Sequence, residues 1–160
     1  MDDQDSTSNP PAQGSNPKAN APTPPTGSVS VQAPVPNTSQ TGKRVLIVED
    51  EKDYRDVLTE RLEQEGFTVQ QAEDGEKALE LMKTADVDLI LLDMLMPKMD
   101  GVTFFYHLRN TLNKPNIPVI ILTNFTEAAY PKGVTDFVVK SNTSLDDVVK
   151  KVKNNMPVKS

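Results

Sequence analysis

The sequence predicts a doubly wound α/β domain over residues 43–156, a parallel sheet covered by helices on both faces. Three observations carry that prediction. From Arg44 onward, short apolar runs alternate with amphipathic stretches. The run Leu89-Ile90-Leu91-Leu92 has no polar side, which suits a central strand buried on both faces. The apolar runs also stop abruptly at charged or hydroxyl residues, as strands do when they deliver side chains to a site at their carboxyl ends.

The elements follow in order. Val45 to Val48 is the first strand, ending at Glu49-Asp50, and a helix from Lys52 to Glu65 turns Tyr54, Val57, Leu58, Arg61 and Leu62 inward before Gly66 stops it. Phe67 to Ala72 alternates as a second strand. Asp74 to Thr84 is a second helix with Ala78, Leu79 and Met82 inward, capped at its start by Asp74 or a neighbour. Val87 to Asp93 is the third strand, Asp100-Gly101 opens a third helix to about Thr111, and Pro118 to Thr123 is the fourth strand. Between Phe125 and Gly133 there is room for a shortened helix only, cut by Pro131. Val134 to Val139 is the fifth strand. A last helix starts near Ser144, with Asp147 three residues on as in a capping box, and buries Leu145, Val148, Val149 and Val152. The expectation is five strands and five helices in strict alternation.

Composition narrows the function classes. The 160 residues suit one ordinary domain, and a net charge of −6 argues against a nucleic-acid surface, which needs clustered Lys and Arg. The absence of cysteine removes disulfides, thiolate metal sites and cysteine nucleophiles. The acidic start lacks the pattern of a secretory signal, and no apolar run approaches the ~20 residues that span a bilayer. A soluble cytoplasmic protein is the expectation, with no membrane insertion. Residues 1–42 hold eight of the thirteen prolines and no aromatic, Leu or Ile, so they read as a disordered arm; residues 157–160 read as a tail. The single histidine, His107, reads as a surface residue of the third helix.

The chemistry gathers where the strands end. Glu49 and Asp50 end the first, Asp93 the third, Thr123 the fourth, and Lys140 follows the fifth. Converging carboxylates raise one another's pKa unless a positive charge shares the site. Mg²⁺ is the natural candidate, being a hard cation that takes carboxylate and phosphate oxygens, and Lys140 supplies a second charge. Such an arrangement suits phosphoryl transfer to a carboxylate nucleophile, and Asp93, ending the central strand, is the favoured acceptor.

Val48-Glu49-Asp50, the run Asp93-Met94-Leu95-Met96-Pro97-Lys98-Met99-Asp100-Gly101, then Thr123, and Phe137-Val138-Val139-Lys140 together resemble the response-regulator receiver family of two-component signalling. The resemblance implies a flavodoxin-like five-stranded sheet in the order 2-1-3-4-5. It also implies that Asp93 accepts a phosphoryl group from a histidine kinase or phosphotransfer protein. Mg²⁺ would be held by Asp50, Asp93 and the backbone carbonyl of Leu95, with Glu49 acting through water. Thr123 and Lys140 would engage the phosphoryl group, and Phe137 would follow Thr123 as an aromatic switch.

The chain departs from the family at particular places. Ser141 follows Lys140 where proline is usual, and the spacing from Thr123 to Lys140 is about one helical turn short. Leu95 and Phe125 bring apolar bulk to the site, which is expected to slow hydrolysis of an aspartyl phosphate. Each residue also has a plain structural alternative: Asp50 could merely cap a helix, and Asp100 reads as the cap of the third. The leading expectation is a single-domain regulator working through protein contacts, with homodimerisation on activation as one mode. A pseudo-receiver binding without phosphorylation is the alternative. A Mg²⁺-dependent phosphatase is disfavoured because Leu95 stands where a second Asp would act, and a dinucleotide enzyme because no Gly-rich turn follows the first strand.

Overall fold

The computed structural model describes Gly14, residues 42–125 and residues 129–158. The expected arm at 1–42 therefore lies outside the described residues, apart from Gly14 and Gly42. From Arg44 the element order is β1 (Arg44–Val48), α1 (Lys52–Gln64), β2 (Thr68–Ala72), α2 (Gly75–Thr84), β3 (Leu89–Asp93), α3 (Gly101–Asn110), β4 (Val119–Thr123), β5 (Asp136–Val139) and α4 (Leu145–Asn155). The five strands form one parallel sheet in the order β2-β1-β3-β4-β5. That is the flavodoxin-like order.

Strand periodicity divides the core into two layers. Val45, Ile47, Leu89, Leu91, Ile120, Leu122 and Val138 face α1 and α4, where Leu58, Leu62, Val148 and Val152 meet them. Leu46, Val48, Ile90, Leu92, Val119 and Ile121 point the other way, onto Ala78, Met82, Phe104 and Leu108 of α2 and α3. Successive residues of a strand alternate between faces, so the unbroken apolar runs of β1, β3 and β4 serve both layers at once. Each fully buried aliphatic side chain contributes ~1.5–3 kcal/mol.

Side-chain caps fix three helix starts. Asp74 accepts from the Lys77 amide at 2.8 Å, Asp100 from Thr103 at 2.7 Å, and Ser144 from Asp147 at 3.2 Å. In the last case the Asp147 carboxylate also accepts the Ser144 hydroxyl at 2.7 Å, a side-chain bond in place of the backbone return bond of a full capping box. Gly101 is indispensable, since a Cβ there would stand 2.2 Å from the Asp93 carbonyl oxygen.

Two expectations need correction. Between β4 and β5 no helix forms among the described residues, which leave out 126–128, so the described residues hold four helices where five are expected. The connection is too short to gain many helical hydrogen bonds, and Pro131 lacks the amide to extend one. On α1, Val57 is 45% exposed while Arg55 is buried, so the inward face is rotated from the stripe that apolar spacing suggests.

Candidate functional site

Parallel pairing places the site residues at one edge. Asp93 stands opposite Leu122 and Thr123 opposite Val139, while Glu49, one residue past β1, still donates its amide to Ala72 at 3.0 Å. Lys140, one residue past β5, donates its amide to the Thr123 carbonyl at 2.8 Å. Glu49, Asp93 and Thr123 are buried, and Asp50 is exposed.

Lys140 ties the two buried carboxylates together. Its Nζ lies 2.7 Å from Asp93 Oδ2 and donates to Glu49 Oε1 at 2.9 Å. Glu49 Oε2 is 2.7 Å from the same nitrogen but outside hydrogen-bonding geometry, and so stays buried without a hydrogen-bond partner. Asp93 Oδ1 accepts the Leu95 amide at 3.0 Å, which ties the start of the β3–α3 loop to the carboxylate. The ammonium also sits 5.1 Å from the ring centre of Tyr54, within cation–π range.

The electrostatics follow from burial. Desolvation pushes Glu49 up from its ordinary 4.5 to about 7, against the pull of the Lys140 hydrogen bond and with help from the Asp93 charge. Burial pulls the Lys140 ammonium down, but hydrogen bonds to Asp93 and Glu49 outweigh it and hold its pKa above the usual lysine range. Burial likewise raises the Tyr54 phenol.

One oxygen from each of Glu49, Asp50 and Asp93 lies within 4.8 Å of the others. Three carboxylates against one ammonium leave two formal negative charges, which a divalent cation balances. An all-oxygen donor set with an unsatisfied buried oxygen fits a hard cation such as Mg²⁺. Asp50 thus joins the cluster and caps nothing, because the residue preceding α1 is Glu51 and makes no side-chain cap. Asp100 is the α3 cap, as expected.

The other half of the site is looser. A cavity of about 250 Å³ beside Asp93 is lined by Met94, Leu95, Asp100, Val102, Thr123, Asn124 and Phe125. Leu95 and Phe125 are 62% and 59% exposed at its rim. The Thr123 hydroxyl accepts the Phe125 amide at 3.1 Å and faces the Phe125 carbonyl at 3.4 Å, so it is held by its own loop. Phe137 is 45% exposed and stacks on Tyr130 at 5.3 Å, and the Tyr130 hydroxyl reaches the same Phe125 carbonyl at 3.3 Å.

Every predicted site residue therefore reaches this edge except Phe137, whose ring faces outward. Sequence reasoning missed Arg55 and the cation–π partner Tyr54. It also missed the ion pair of Lys98, at φ +66°, with buried Asp74, at 2.7 Å.

Fold and site together define a doubly wound α/β domain with an acidic carboxyl edge whose oxygens fit a hard cation. The response regulator receiver domain family matches residues 45–153, and the chain belongs to it. Among solved structures it is similar to the response regulator TrrA of Thermotoga maritima in complex with Mg²⁺ and BeF. Identity there is 32%, covering 71% of this chain and 99% of that one, with a TM-score of 0.65. It is also similar to TrrA in complex with the histidine kinase ThkA, at 32% identity, 72% and 99% coverage and a TM-score of 0.63. Among curated proteins, the DNA-binding dual master transcriptional regulator RpaA of Synechocystis is 35% identical over 61% of this chain and 42% of its own length. The transcriptional regulatory protein CpxR of Escherichia coli is 44% identical over 50% of this chain and 33% of its own. The chain thus spans roughly a third to two fifths of these curated relatives. Among the described residues, no helix is long and apolar enough to cross a membrane.

Proposed function

We propose that this chain accepts a phosphoryl group on Asp93 from a histidine kinase or phosphotransfer protein, in a Mg²⁺-dependent reaction, and signals through protein contacts. The observation that carries the reading is the buried Glu49–Lys140–Asp93 cluster with Asp50 beside it. An Asp93 oxygen attacks the phosphorus of a phosphohistidine. The O–P bond forms as the P–N bond breaks, and the electron pair returns to the imidazole nitrogen, which takes up a proton.

Asp50, Asp93 and the Leu95 carbonyl would hold Mg²⁺, with Glu49 acting through water; when bound, the ion neutralises charge on the phosphoryl oxygens. Lys140 gives up part of its ion pair with Asp93 and takes a phosphoryl oxygen instead. Thr123 Oγ1 leaves its loop to donate to another, and Phe137 gives up its stack on Tyr130 to move inward. About two negative charges appearing at this edge are what drive that exchange. The Mg²⁺–BeF complex of TrrA and its complex with a kinase support both the cation and the partner.

Output through protein contacts in the cytoplasm is the reading we propose. The length and names of the curated relatives favour a second reading, in which the domain governs a DNA-binding module.

Intact mass after incubation with Mg²⁺ and a small-molecule phosphodonor tests the chemistry. The expected result is one added phosphoryl group that requires both Mg²⁺ and Asp93, lost in Asp93→Ala. No adduct in the wild type under conditions that preserve acyl phosphates favours the pseudo-receiver instead.

A further inference from the structure

We infer that Arg55 is a positioning residue for the cation site, holding the Glu49–Asp50 turn so that its carboxylates meet Asp93. Among the described residues Arg55 is the only buried arginine, at 8% exposure, and its hydrogen bonds go to neutral oxygens. Its Nη1 donates to the Glu49 carbonyl at 2.5 Å and reaches the Asp50 carbonyl at 3.4 Å. A charge buried without a carboxylate partner is costly, so its placement calls for a compensating role.

The turn explains the placement. Helices α2, α3 and α4 each begin with a side-chain cap, but Glu51 at the start of α1 makes none. The segment between β1 and α1, which carries two of the three clustered carboxylates, is instead gripped from behind by the guanidinium. The grip is itself fixed. Arg55 Nε donates to Gln71 Oε1 at 3.3 Å, and Gln71 Nε2 donates to Thr59 Oγ1 at 2.8 Å, joining β2 to α1 around the arginine. Side chains that orient metal ligands typically change affinity by ~10–100-fold when removed.

Charge and position predict opposite signs. Removing a nearby cation should by itself tighten Mg²⁺ binding, whereas releasing the turn should weaken it. This inference rests on the proposed reading of the site as a Mg²⁺ centre. Calorimetric titration of the full chain with Mg²⁺ tests both, comparing wild type, Arg55→Met, Arg55→Lys and the core variant Val152→Ala below all their melting temperatures. Expected are ~10-fold weaker binding in Arg55→Met, recovery of most of that loss in Arg55→Lys, which keeps a donor, and unchanged binding in Val152→Ala. Unchanged or tighter binding in Arg55→Met, or an equal loss in Val152→Ala, overturns the role of Arg55 and leaves the centre standing. A wild type that binds no Mg²⁺ overturns the centre itself.

Discussion

The acidic half of the site and the β4–β5 half are built to different standards. Glu49 and Asp93 are buried, joined through one lysine, and rooted in β1 and β3, whose side chains are almost wholly enclosed. Across the edge, β5 is only partly buried, Phe137 and Phe125 stand in solvent, and Thr123 bonds to its own loop. Preorganised groups cost nothing to arrange when charge arrives, while a group that must report the event needs a second place to go. In the proposed reading, a fixed floor serves the chemistry and a movable rim the signalling. Thr123, Phe125, Tyr130 and Phe137 form one chain of contacts, so moving the hydroxyl disturbs the ring.

The largest effect should come from breaking the floor. Lys140→Met removes the only cation among the described residues in contact with two buried carboxylates, and loss of one preorganised electrostatic partner of this kind typically costs ~10²–10³-fold in rate. Phosphorylation measured by intact mass should slow by that order, and a rate within twofold of wild type would mean that Lys140 is not part of the chemistry.

A smaller effect concerns Glu49. Its folded pKa, about 7, lies above its ordinary 4.5, so the folded state holds its proton more tightly than the unfolded chain. Its contribution to stability is then fully present below 4.5 and lost as pH rises through 7. In chelator, the melting temperature should fall across that window, and Glu49→Gln should flatten the slope. Mg²⁺ should restore stability toward higher pH, because the ionised carboxylate suits the ion. A wild-type slope equal to that of Glu49→Gln would contradict the assignment.

The smallest effect belongs to the rim. Leu95→Asn or Phe125→Glu should speed hydrolysis of the aspartyl phosphate several-fold while leaving its formation intact, since each opens a polar path beside the cavity. Unchanged decay of the mass adduct would remove both residues from control of the lifetime.

The floor was far more legible in the sequence than the rim, for a physical reason. Each of its residues directly follows an apolar strand, and parallel pairing leaves little freedom in where strand ends go. Asp93 and Thr123 were readable from Leu89 to Leu92 and Val119 to Leu122 alone. Arg55 was not, because apolar periodicity scores Val57 as the inward residue and cannot see two unpaired carbonyls in need of a donor. Spacing marks the connection after β4 as short, but counting residues does not show whether helical hydrogen bonds can form there. The outward ring of Phe137 was also invisible, since a strand position fixes a face of the sheet but not which of two rotamers a side chain adopts.

The division between floor and rim is tested most directly by solvent exposure of the Phe137 ring, followed by NMR relaxation from a dissolved paramagnetic probe. The spectra would compare the full chain in Mg²⁺ with and without beryllofluoride as a phosphoryl mimic. The account predicts that the mimic sharply lowers relaxation of the Phe137 ring while the methyls of Leu91 and Leu92 keep their positions. A Phe137 ring equally exposed in both states, with the mimic bound, would contradict it.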